Sequence, residues 1–92
     1  MIVEKIGLPA TLEQLAEESA ELAQAALKYA RKLRGENPTP KTLEECNEAL
    51  IEEYTDVCVC AQALNLSMDM FLAMRKRERW IMRIEENEKK KS

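Results

Sequence analysis

The chain has 92 residues, of which 46% are hydrophobic and 34% charged, and its formal net charge is −3. This length allows one domain, and the hydrophobic fraction is too high for a disordered chain. The small acidic excess argues against binding to a nucleic-acid polymer, and no apolar run approaches the roughly 18 residues that would span a membrane. With two glycines and three prolines, the composition predicts a single all-α domain over residues 1–92.

The N-terminal third of the chain predicts an arm followed by a long helix. Residues 1–10 contain a glycine and a proline, so we predict an irregular arm with at most one helical turn. Thr11 followed by Gln14 is a capping-box pattern, which places the start of helix one at about Leu12. Apolar residues recur at helical spacing from there, and helix one is expected to end at Arg34, just before a glycine.

A second capping-box pattern marks the next helix. The segment 35–41 holds a glycine and two prolines and is predicted to be a loop. Thr42 with Glu45 then opens helix two, which we predict over about residues 43–64, with Asn65 as its C-cap.

Helix three follows after a very short turn. Ser67 is the predicted N-cap, and Asp69 lies in the first turn, where the helix dipole favours a negative charge. The helix is expected to reach about residue 88, with a frayed tail at 89–92. Three helices of similar length joined by short loops predict an antiparallel bundle. Helix two is apolar around most of its circumference at 57–64, so we expect oligomerisation, as a homodimer or homotetramer, to complete this bundle.

Two pairs of carboxylates stand out against this apolar background. Glu53 and Asp56 lie one helical turn apart on helix two, and Glu18 and Glu21 have the same spacing on helix one. Packing the two helices against each other can bring all four side chains together. Buried carboxylates need cations close by, and helix two offers no nearby lysine or arginine. An all-oxygen cluster in a chain without histidine suits Mg²⁺, or Mn²⁺, rather than zinc.

This arrangement, ESAE at 18–21 and EYTD at 53–56, resembles the MazG-like all-α nucleoside triphosphate pyrophosphohydrolases over about residues 12–83. The resemblance implies an enzyme that cleaves a nucleoside triphosphate between its α and β phosphates, releasing a monophosphate and pyrophosphate. It also implies that the four acids bind Mg²⁺. The implied metal ligands are Glu18, Glu21, Glu53 and Asp56. Among them, we assign catalytic roles to Glu21 and Glu53, with Glu21 as the candidate for orienting the attacking water.

The same resemblance implies a set of phosphate contacts on helix three. Lys76, Arg79 and Arg83 occupy the positions from which members of the family contact the substrate. Many members have asparagine where Arg79 stands, so phosphate or sugar recognition stays open. An exposed basic face without a ligand is the alternative interpretation of these three residues.

Two other functional classes stay open at this point. One is a related pyrophosphatase that acts on phosphoribosyl-ATP or on dCTP or dUTP. The other is a catalytically silent module for oligomerisation or partner binding. Three cysteines without C-x-x-C spacing, and no recognisable signal peptide, lead us to expect reduced thiols in the cytoplasm.

Overall fold

The computed structural model describes residues 1–36 and 40–91. These residues form helices and no strand, which confirms the all-α class. No helix among them is long and apolar enough to cross a membrane. The helices are α1 (Ile2–Ile6), α2 (Leu8–Arg34), α3 (Leu43–Ala63) and α4 (Met70–Lys91).

The N-terminal region is more helical than the sequence pattern predicts. Gly7, at φ 90°, separates α1 from α2, and Pro9 lies in the first turn of α2, where its missing N–H breaks no helical hydrogen bond. Thr11 is therefore inside a helix, 2% exposed, and its hydroxyl donates to the carbonyl oxygen of Gly7 at 2.8 Å. The predicted start at Leu12 is wrong because this hydroxyl bonds backward along α2 instead of capping a new helix.

The start of α3 is the capping box that the sequence predicts. The backbone N–H of Glu45 donates to the hydroxyl of Thr42 at 3.1 Å, and the backbone N–H of Thr42 donates to the Glu45 carboxylate at 3.0 Å. The Thr42 N–H holds the pKa of Glu45 below its usual value. At the other end α3 stops at Ala63, one residue short of the prediction, and Asn65 adopts the left-handed conformation (φ 57°) that reverses the chain.

The start of α4 lies slightly later than predicted, and its end lies later too. Asp69, not Ser67, acts as the cap, because its carboxylate accepts a hydrogen bond from the backbone N–H of Leu72 at 3.0 Å. The helix begins at Met70 and continues to Lys91, into the segment 89–92 that the sequence predicts to be frayed.

The main packing interface lies between α2 and α3, and a smaller one joins α1 to α2. The two long helices are antiparallel: Glu18 acts electrostatically on Cys60 near the end of α3, whereas Lys28 shares a cavity with Lys41, just before α3 begins. Within residues 1–36 and 40–91, α4 forms no comparable interface with either helix. Cys46 is the one buried apolar side chain in this part of the chain.

The dimensions show how little of its apolar surface a single chain encloses. The radius of gyration is 17.3 Å, against about 12 Å for a compact domain of this length. The accessible surface is 7892 Å², about 2,400 Å² more than the roughly 5,500 Å² typical of a folded monomer of this mass. Exposed apolar side chains contribute to this surface, including two aromatic ones on α4, where Phe71 is 79% and Trp80 is 68% exposed.

Candidate metal centre

The four carboxylates predicted as metal ligands meet between α2 and α3. One oxygen from each side chain can be chosen so that all four lie within 4.8 Å of one another. Two ligands come from each helix, three residues apart, so each pair stands one turn apart on the face turned toward the other helix. The antiparallel packing of α2 on α3 therefore assembles the cluster without any loop. Its members are Glu18, Glu21, Glu53 and Asp56.

Burial divides this acidic cluster into two kinds of position. Glu18 and Glu53 are half-buried, and in each of them Oε2 is buried without any hydrogen-bond partner. Glu21 is exposed and faces the cavity described below. A buried carboxylate oxygen without a partner costs free energy, and the penalty is removed when a cation approaches it. The two unpartnered oxygens therefore fit a cation site between the helices.

Gln14 contributes a hydrogen bond to the cluster that the sequence analysis did not assign. Its side-chain amide donates to Oε1 of Glu18 at 2.8 Å, which leaves Oε2 of Glu18 as the free oxygen. The capping-box pattern predicts that Gln14 lies at a helix start. Because α2 begins at Leu8, Gln14 instead lies within the helix, four residues before Glu18, and orients that carboxylate. The i,i+4 spacing was the signal for this contact in the sequence.

The charge and donor set determine what the cluster can bind. Two unit charges 4 Å apart repel by about 1 kcal/mol in water and by about 4 kcal/mol at the effective dielectric near a protein surface. Four carboxylates at this separation thus favour a divalent cation strongly. Carboxylate oxygens alone, in a chain without histidine, match the preference of Mg²⁺ and Mn²⁺.

Cys60 feels the charges of the cluster, but its sulfur is not among the donor atoms that converge there. Partial burial raises the pKa of Cys60, and the negative charges of Glu18 and Asp56 raise it further. Cys60 is therefore a neutral thiol at neutral pH. It is half-buried, as is Cys58.

A cavity of about 320 Å³ opens beside the cluster. Glu21 and Glu53 form one side of it, and two lysines, Lys28 and Lys41, lie among its other lining residues. Neither lysine is among the predicted site residues. Lys28 lies two helical turns after Glu21 on nearly the same face of α2, which is a signal that the sequence contains, whereas Lys41 comes near the acids only through the pairing of α2 with α3.

The predicted phosphate contacts on α4 form a separate feature. Lys76, Arg79 and Arg83 line one groove of about 230 Å³ together with Trp80. The spacing thus places the three cations on one face, as the sequence predicts. No residue of α4 lines the cavity beside the acids, so a single chain does not bring these cations to the acidic cluster.

Comparison with known protein families, with curated proteins and with solved structures finds no match to this chain. The functional assignment therefore depends on the geometry of the acidic cluster and on the motif resemblance.

Proposed function

We propose that the protein is a MazG-like, Mg²⁺-dependent pyrophosphohydrolase that converts a nucleoside triphosphate to the monophosphate and pyrophosphate. The observation that carries the proposal is the convergence of the four carboxylates within 4.8 Å, with two buried oxygens that lack hydrogen-bond partners. A solvated acidic surface would satisfy those oxygens with water instead of burying them.

In this proposal each acid has a definite task. Glu18 and Glu53 present their unpartnered Oε2 atoms to the cation, and Gln14 keeps Glu18 in the orientation that does so. Asp56 completes the set from the next turn of α3. Glu21 is the fourth ligand and, because it is exposed at the edge of the cavity, it can also orient a water molecule for in-line attack on phosphorus. A bound Mg²⁺ or Mn²⁺ supplies the charge that neutralises the phosphates and activates water.

The direct test is release of pyrophosphate from a panel of canonical and modified triphosphates, with phosphoribosyl-ATP, dCTP and dUTP included. We expect Mg²⁺-dependent release from at least one of them, abolished by chelation and by Glu53→Gln. Preference for phosphoribosyl-ATP, dCTP or dUTP would assign the chain to the corresponding branch. Turnover by Glu53→Gln at the wild-type rate would contradict the assignment of the site.

We also propose that the working form is a homodimer or homotetramer in a reducing, cytoplasmic compartment. If a second copy buried the excess surface of about 2,400 Å² on each chain, the interface would reach about 4,800 Å² in total, the size of obligate homodimer interfaces. The exposed apolar side chains of α4, including Phe71 and Trp80, supply the composition that such interfaces have. The three cysteines are all free, as a reducing compartment requires.

A silent oligomerisation module is the second candidate, and the same exposed surface favours it. The two candidates differ in the acidic cluster: only the enzyme needs a cation there. A chain that self-associates but neither binds Mn²⁺ nor releases pyrophosphate is such a module.

A further inference from the structure

We propose that the cavity beside the acidic cluster holds the pyrophosphate end of the substrate and that Lys28 is its anchoring cation. This inference rests on the proposed function, because it assigns a part of the same site. It fixes the direction in which the triphosphate lies: the phosphates to be released point along α2 toward Lys28, and the nucleoside points the other way.

The position of Lys28 follows from helix geometry. Lys28 lies seven residues after Glu21 on α2, so the two positions are separated by two turns, or about 10 Å along the axis. Residues seven apart lie on nearly the same face, and both line the one cavity. An anion whose inner phosphates meet a cation held by the acids would therefore extend its outer phosphates toward the ammonium group.

The cavity has room for such a group. Small side chains, Ala25 on α2 and Ala49 on α3, lie between the acidic and the basic parts of its lining, and its volume is about 320 Å³. Longer side chains at these two positions would fill the space between the helices. The cavity therefore connects the acidic residues at one end with the two lysines at the other.

Lys28 is also available for a ligand. Within residues 1–36 and 40–91 no carboxylate forms an ion pair with it, so its ammonium faces solvent and the cavity. Lys41, from the start of α3, adds a second positive charge on the same side but has another interaction within the chain. Lys28 is therefore the residue whose charge is uncommitted before substrate binds.

The arrangement matches the needs of cleavage between the α and β phosphates. The oxygen of the attacking water bonds to the α-phosphorus while the bond from that phosphorus to the bridging oxygen breaks. The electron pair stays on the departing pyrophosphate, and the proton from water passes to solvent. Lys28 lies where the negative charge of the leaving group increases, so its contact is stronger during the reaction than before it.

The experiment measures binding of inorganic pyrophosphate by calorimetry in the presence of Mn²⁺, and binding of Mn²⁺ alone. We expect Lys28→Met to weaken pyrophosphate binding at least about tenfold, the loss typical of a charge-assisted contact, and to leave Mn²⁺ affinity within about twofold. Lys28→Arg keeps the charge and should restore most of the affinity. Arg31→Gln is the matched control, since it removes the same charge from an exposed position of α2 that does not line the cavity.

The outcomes separate the inference from the function on which it rests. A wild-type chain that binds no Mn²⁺ would overturn both. Normal Mn²⁺ binding with equal pyrophosphate affinity in the wild type and Lys28→Met would overturn the subsite alone. Equal losses in Lys28→Met and Arg31→Gln would also overturn it, because they would show a diffuse effect of net charge.

Discussion

Replacing Glu53 by glutamine should stabilise the metal-free protein while removing its response to metal. The Glu53 carboxylate shares a cluster, no more than 4.8 Å across, with three other carboxylates. At that distance each pair of charges repels by about 1 kcal/mol in water and about 3.5 kcal/mol at an effective dielectric of 20. Because the cluster is partly exposed, we take the aqueous value and expect a gain of about 1–3 kcal/mol at low salt, which corresponds to at least about 4 °C in the unfolding midpoint.

The assay is thermal unfolding with and without Mn²⁺. The wild type should gain about 2.7 kcal/mol when the free metal concentration is 100 times its dissociation constant, whereas Glu53→Gln should gain little. Glu52→Gln is the control, because it removes the same charge from the adjacent exposed residue, outside the cluster. A lower midpoint for metal-free Glu53→Gln, or a full response of that variant to Mn²⁺, would refute the electrostatic reasoning.

Three further predictions concern the rest of the molecule. Lys76→Ala should lower triphosphate turnover at least about tenfold, while Arg77→Ala should have little effect because Arg77 lies outside the groove on α4. If Lys76→Ala turned over at the same rate as Arg77→Ala, the groove would be ordinary solvated surface. Thr42→Ala should lower the free energy of unfolding by about 1 kcal/mol, because the Thr42 side chain makes a cap hydrogen bond. Ser67→Ala should lower it by less than about 0.5 kcal/mol, because Asp69 and not Ser67 caps α4. Sedimentation at micromolar concentration should show at least a dimer, and a well-folded monomer would contradict the oligomer proposal.

The acidic cluster could be predicted from the sequence because it depends on the local spacing of the acids. Two residues three apart on a helix share a face whatever the rest of the chain does, and a short loop between two long helices makes antiparallel pairing the default. Those two facts are enough to place Glu18 and Glu21 opposite Glu53 and Asp56. The cap of α3 was predictable for the same reason, since both of its hydrogen bonds join residues three apart.

Contacts that depend on the exact start of a helix or on tertiary packing could not be predicted from the sequence. The pair Thr11 and Gln14 has the spacing of a cap, but both side chains bond within a helix that starts at Leu8. Lys41 lies in the loop before α3 and carries no motif, so its place beside the acids appears only once α2 and α3 are paired, whereas the seven-residue spacing from Glu21 to Lys28 indicates a shared face of α2. The sequence could not predict that α4 packs apart from α2 and α3 either. The amphipathic pattern of α4 shows that one of its faces is apolar but not which part of the molecule packs against that face.

The isolation of α4 has a consequence for how the chain reaches its folded state. A helix of 22 residues that forms no substantial interface with the other described helices is marginal in water, because its propagation only just offsets the free-energy cost of forming the first turn. The pair of α2 and α3 can form within one chain from contacts near in sequence, which is a fast, concentration-independent step. In the proposed oligomer, ordering of α4 would then wait for an encounter between chains, so the last stage of folding would be bimolecular and its rate would rise with protein concentration.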